Sequence, residues 1–141
     1  MVGGQALDLF GEGQALEAAE LDALHRRKTG ALLTCALVVG ALAADAEEGT
    51  LRAVERYGRA VGLAFQVTDD ILDATSSAGE LGKNPSDGEL RKSTYVSVHG
   101  LEEAGRRARE LVGEARGALS EGGVTAPALE ALADYVVDRK R

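Results

Sequence analysis

The chain has 141 residues, 45% of them hydrophobic and 4% aromatic, with no tryptophan, 23 acidic against 16 basic side chains and a net charge of −7. That length suits one domain of common size, and a composition rich in Ala and Leu but poor in aromatics favours helices over sheets. The acidic balance argues against nucleic acid, whose recognition needs a basic surface, yet leaves phosphate ligands open because they respond to local charge.

Cys35 is the single cysteine, so an intrachain disulfide is excluded and a reducing compartment is the default. Its neighbours Leu33, Ala36 and Leu37 predict a buried, apolar thiol. The longest apolar run, residues 31–44, is too short and interrupted for stable insertion into a bilayer. The N-terminus lacks the pattern of a secretory leader, and the expected location is cytoplasmic.

Residues 1–13 are glycine-rich and read as the end of a helix, in which Gly3 and Gly4 permit close helix packing. From Ala15 to about Ala44 the spacing of Leu21, Leu24, Lys28, Leu32, Cys35 and Val39 predicts a helix. Apolar density rises after Thr29, so the second half is expected to be the more buried. The run His25-Arg26-Arg27-Lys28 reads as a solvated face, with Lys28 set apart because it abuts the apolar stretch.

A polar connection, residues 45–50, precedes a helix predicted over 51–74 whose core face is Val54, Tyr57, Val61, Ala64, Phe65, Ile71 and Leu72. Gly58 and Gly62, four apart, allow another backbone to approach closely. Residues 75–90 hold Gly79, Gly82, Pro85 and Gly88 and read as a loop. The segment 101–119 carries charges on most faces and is expected to be mostly exposed. After Gly122-Gly123, Thr125 is the expected cap of a last helix with Pro127 in its first turn and Leu129, Leu132, Tyr135 and Val136 on its apolar side. His99, beside Gly100, reads as a packing histidine.

The chemistry concentrates in residues 62–73. On a helix, Gln66, Asp69, Asp70 and Asp73 share one face, and no Lys or Arg stands within a turn inside that stretch to neutralise the three carboxylates. Spacing alone leaves two readings open, solvated acids at a helix end or ligands of a hard divalent cation such as Mg²⁺, which takes carboxylate, water and phosphate oxygens. Acids are disfavoured at a helix C-terminus, which leans toward the second. Lys28-Thr29 lies on the preceding helix, Gly82-Lys83 in the following loop, and Lys92-Ser93-Thr94 at the next helical start. Carboxylates alternating with lysines suit a diphosphate bridged by Mg²⁺, the lysines neutralising the oxygens that the metal leaves.

Taken jointly, the stretches GGQALDL (3–9), HRRKTGALL (25–33), YGRAVGLAFQVTDDILD (57–73), LGK (81–83), KSTY (92–95) and ALEALADYVV (128–137) resemble the C-terminal half of trans-polyprenyl diphosphate synthases. The resemblance is to bacterial farnesyl and geranylgeranyl diphosphate synthases in particular, and DDILD is similar to that family's second aspartate-rich motif. It implies an all-α fold, an incomplete antiparallel helix bundle of the isoprenoid-synthase type, with residues 1–141 as one partial domain that lacks its N-terminal half. It further implies that Asp69, Asp70 and Asp73 hold Mg²⁺ against the diphosphate of an allylic prenyl diphosphate. Lys28, Lys83 and Lys92 would contact that diphosphate, while Thr29 and Gln66 line the reaction cleft with Phe65 packed beside them.

The implied reaction is head-to-tail condensation with isopentenyl diphosphate, in which Lys28, Thr29, Gln66, Asp69 and Asp70 are the candidate catalytic residues. The family's first aspartate-rich motif and its isopentenyl diphosphate site would precede residue 1. An N-terminal half or a homo-oligomer is therefore the expected protein partner for turnover. Arg91 and Val96 stand where the family pattern usually has Gly and often Pro. The alternative is a non-catalytic helical module that binds Mg²⁺-diphosphate or regulates a complete synthase.

Overall fold

The computed structural model describes residues 2–10, 16–79 and 93–139, and every regular element among them is a helix. In chain order these are α1 (Val2–Phe10), α2 (Ala18–His25), a π-helical turn (Arg26–Gly30), α3 (Ala31–Ala43), α4 (Glu48–Gly79), α5 (Tyr95–His99), α6 (Leu101–Glu121) and α7 (Pro127–Asp138).

The 32-residue α4 is the mast of the bundle. The chain reverses after α3 through a turn in which Asp45 takes a left-handed φ of 51°, a conformation that Asp tolerates better than most residues. α3 then lies antiparallel to α4, and two glycines set how close. A Cβ on Gly58 would stand 2.9 Å from Thr34 Cα, and one on Gly62 would stand 2.5 Å from Gly30 Cα. α6 runs antiparallel to α4 on another side, since Gly122 meets Ala53 at one end and Tyr95 meets Asp70 at the other. α7 runs parallel to α4, with the Tyr57 hydroxyl donating to Leu129 O at 2.6 Å and Arg139 reaching Phe65.

The core lies between α4 and α6 with Leu21 of α2 closing it, and its largest fully buried side chains are Tyr57, Leu21, Leu63, Leu111, Leu119 and Val67. The expectation that residues 101–119 are mostly exposed is therefore wrong. Ala104, Ala108, Leu111, Ala115 and Ala118, spaced alternately four and three apart, form a buried stripe beside Val112 and Leu119. The many charges occupy the outer face, where Arg106 pairs with Glu103 and Glu110 and Arg107 with Glu114.

The relative burial of residues 15–44 is also reversed. Leu21, Leu24 and His25 are buried, whereas α3 has no buried residue and leaves Leu32, Val39 and Leu42 each more than half exposed. A helix apolar on all sides can bury only the face that meets a neighbour, and here that face is the one packed on α4. Cys35 is exposed for the same reason, not buried as expected. The acidic-turn helix begins at Glu48 and continues through Gly79, beyond the predicted end at residue 74, with Thr75 and Ser76 hydroxyls bonding back to Ile71 and Leu72 carbonyls. Ala126, not Thr125, precedes Pro127 at the start of α7, and Tyr135 faces outward while Ala133 and Val136 are buried.

Candidate diphosphate and metal site

The site begins with a distortion of the backbone. At Arg26–Gly30 the helix widens into a π-helical turn, a geometry that inserts a residue into the ladder and re-aims the side chains around it. Two glycines press on this turn. Gly62 of α4 packs on Gly30, and a Cβ on Gly4 of α1 would lie 2.3 Å from the Lys28 amide nitrogen. The absence of side chains at both positions lets α1 pack closely on the turn at Lys28 and α4 at Gly30.

Opposite the turn, α4 presents its acidic face, and the two enclose a polar cleft of about 210 Å³. Gln66, Asp69, Asp70 and Asp73 line one wall, His25 and Lys28 another, and Ser93 and Thr94 a third. The structure thus brings together five residues singled out in the sequence: Lys28, Gln66, Asp69, Asp70 and Asp73. Thr29 is half-buried but not part of this wall, and Phe65 packs against the core outside it. Lys83 and Lys92, with the loop around them, lie outside the described residues.

The three carboxylates are held differently. Asp69 receives the Arg139 guanidinium at Oδ1 and the Gln66 amide at Oδ2, the latter at 3.3 Å. Arg139 also donates to the Phe65 carbonyl at 3.4 Å and lies over the Phe65 ring, 4.0 Å from its centroid. Asp70 Oδ2 accepts the Tyr95 backbone N–H at 2.6 Å and lies 3.9 Å from His25 Nε2. That bond fastens the start of α5, where Thr94 and Ser97 cap each other reciprocally. Asp73 is the exposed member of the set.

His25 is buried, 5% exposed, and not part of a solvated face as its basic neighbours suggest. Its ring stacks with Tyr95 at 6.5 Å, and the Tyr95 ring meets His99 at 4.5 Å. Burial first, and then the Asp22 charge, push the Tyr95 phenol up from its ordinary value.

Hard oxygen donors on one helix face, a lysine opposite and room for water fit a Mg²⁺ ion that takes one or two carboxylates and completes its shell from water and phosphate. Among the described residues no three His, Cys, Asp or Glu side chains already converge as a closed metal cage. The arrangement is therefore an open wall, suited to an ion that arrives with a ligand of its own. Arg139 carries no signal in the sequence that links it to this wall, being the residue after a helix 70 positions away. His25 carries a weak one, standing three residues before Lys28, which the π-helical turn makes a neighbour on the same cleft.

A helical bundle of this order, with an acidic stretch of its longest helix set across a cleft from a lysine, defines an isoprenoid-synthase-type fold. It superposes on a decaprenyl diphosphate synthase from Rhodobacter capsulatus with a TM-score of 0.82 and 29% identity, covering 99% of this chain and 56% of that one. It superposes with a TM-score of 0.75 and 31% identity on a Helicobacter pylori geranyltransferase complexed with magnesium and isoprenyl diphosphate, covering 98% of this chain and 46% of that one.

Residues 1–133 match the family described as polyprenyl synthetase, and the chain belongs to that family. It is 45% identical to the farnesyl diphosphate synthase of Escherichia coli K12, across 100% of this chain and 49% of the relative, and 42% identical to the geranylgeranyl diphosphate synthase of Cyanophora paradoxa, across 99% and 47%. The chain spans about half the length of these curated relatives.

Proposed function

We propose that this chain is the C-terminal, diphosphate-holding half of a polyprenyl diphosphate synthase, acting in the cytoplasm on an allylic prenyl diphosphate and isopentenyl diphosphate. The observation that carries the reading is the convergence of Asp69, Asp70 and Asp73 on one cleft with Lys28. In this reading the three aspartates hold Mg²⁺, which supplies Lewis-acid neutralisation of the departing diphosphate.

The chain's own residues do the rest. Lys28, fixed on the pinched π-helical turn, gives a positive charge to the diphosphate oxygens as the allylic C–O bond breaks, a stabilisation that grows with the charge being released. Gln66 orients Asp69 through its amide. Lys83 and Lys92 are assigned to the same diphosphate, and Thr29 and Phe65 to the flank of the reaction cleft. Positioning and electrostatics suffice, with no covalent intermediate.

The isopentenyl diphosphate site and the first aspartate-rich motif are assigned to an N-terminal half, in the same or another polypeptide. The exposed apolar side chains Val2 and Leu9 of α1 and Leu32, Val39 and Leu42 of α3 support apolar docking surfaces for it. The test is coexpression with a matching N-terminal half, followed by assay of prenyl transfer from geranyl diphosphate. Activity dependent on both halves, and abolished by Asp69→Ala, is expected. Turnover by the 141-residue chain alone would refute the need for a complementing half, and a pair that assembles, binds Mg²⁺-diphosphate and does not react would make the chain a binding module.

A further inference from the structure

Arg139 is a residue of α7's end committed to the middle of α4. Its guanidinium spans three groups on two turns of that helix: the Phe65 ring, the Phe65 carbonyl and the Asp69 carboxylate. Its side chain is only 17% exposed, and its Nε is buried with no hydrogen-bond partner. A buried guanidinium that leaves a donor unpaired is held by its charge partner more than by its hydrogen bonds, because the desolvation of that donor is uncompensated. The partner is a carboxylate of the acidic wall, which Arg139 reaches from another element of the fold. Lys28 faces the wall across the cleft, whereas Arg139 reaches it from the Phe65 side.

We propose that Arg139 is a built-in counter-cation that competes with a divalent metal for Asp69, so that loading of the acidic wall weakens the hold of Arg139 on Asp69 and Phe65. This rests on the reading of Asp69 as a metal ligand. A guanidinium already paired with Asp69 lowers the negative charge that a divalent ion meets there, and the coupling is reciprocal: metal bound at Asp69 weakens the Arg139 pair by the same factor. Arg139 is thus a positioning residue that offsets the Asp69 charge in the metal-free chain.

The experiment uses the 141-residue chain and two readouts that do not depend on turnover. Mn²⁺ affinity is measured from the electron paramagnetic resonance signal of the free ion, with and without inorganic pyrophosphate, in the parent chain, Arg139→Gln, Arg139→Lys and Asp69→Asn. The Arg139 Nε–Hε cross-peak, assigned by its loss in Arg139→Lys, is followed during a Mg²⁺ titration.

Arg139→Gln is expected to bind Mn²⁺ about five-fold or more tightly than the parent, a typical coupling between competing sites. Arg139→Lys, which keeps the charge but not the planar fork or the stacking, is expected to fall between. The Nε–Hε signal should move with metal occupancy. Unchanged or weaker Mn²⁺ affinity in Arg139→Gln, with Asp69→Asn abolishing it, would overturn the competition and leave Asp69 as a ligand. Weaker pyrophosphate-dependent binding at unchanged Mn²⁺ affinity would instead make Arg139 a phosphate contact and overturn the proposal as well. Parent-like Mn²⁺ affinity in Asp69→Asn would remove the metal reading on which it rests.

Discussion

Gly62 offers a quantitative test of how the site is held. A Cβ at this position would lie 2.5 Å from Gly30 Cα and 3.4 Å and 3.5 Å from Gly30 N and C, so Gly62→Ala collides with backbone, which cannot swing away as a side-chain tip can. Restoring ordinary carbon contact requires α4 and the π-helical turn to part by about 1 Å. Overpacking of this kind costs about 1–3 kcal/mol, against which the better helix propensity of Ala returns up to about 1 kcal/mol. Gly113, on the exposed face of α6, meets nothing within 4 Å, so Gly113→Ala carries only the propensity gain. The two variants are therefore expected to shift stability in opposite directions. Urea unfolding followed by circular dichroism at 222 nm measures both, with Gly62→Ala losing about 1–2 kcal/mol and Gly113→Ala gaining up to about 1 kcal/mol. A Gly62→Ala chain as stable as Gly113→Ala would refute the close contact and, with it, the account of how Lys28 is placed.

Burial, with the Asp134 charge adding to it, pushes the Tyr57 phenol from 10.0 up to about 12. Because the folded value is the higher one, its contribution is intact below pH 10 and is lost as pH rises toward 12. At about 1.4 kcal/mol per unit this removes about 3 kcal/mol, and Tyr57→Phe should flatten that alkaline decline in stability. Asp70→Ala leaves the Tyr95 N–H without its acceptor, at about 1.5–3 kcal/mol for a bond to a charged group, and hydrogen exchange of that amide should accelerate by about 10- to 100-fold. Cys35, exposed on α3, should react with a thiol reagent in the folded chain at nearly the rate seen in denaturant, and strong protection would contradict its placement.

The sequence carried the helical class and the acidic face because both rest on local spacing. It also carried the two close approaches on α4, since a pair of glycines four apart has few other uses in a long helix. Burial was read less well where local composition and tertiary position diverge. α6 looked exposed because its buried stripe is largely alanine, which weighs little beside nine charged residues in a hydropathy pattern but packs closely against α4. α3 looked buried because it is apolar throughout, although burial requires a neighbour, and only one of its faces has one here. His25 was hidden by its basic neighbours: three residues of the run point to solvent or the cleft edge, while the histidine, one turn after Leu21, continues the buried face of α2.

The three aspartates show why the remainder of the site could not be read locally. Adjacent carboxylates on one helical face repel, and the stretch holds no cation within a turn, so the neutralising groups had to come from elsewhere in the fold. Partners of these carboxylates come from separate elements, among them Arg139 after α7 at Asp69, the N-terminal amide of α5 at Asp70, and His25 of α2 near the same carboxylate. No spacing rule connects residues 25, 70, 95 and 139. Each contact nonetheless follows from the antiparallel and parallel courses of α6 and α7 along α4, which are fixed by the alanine stripe of α6 and the Tyr57–Leu129 bond far from the cleft. The core thus sets the electrostatics of the wall. Substitutions that shift α7 along α4 are expected to alter cation binding at Asp69 even though they touch no residue of the cleft.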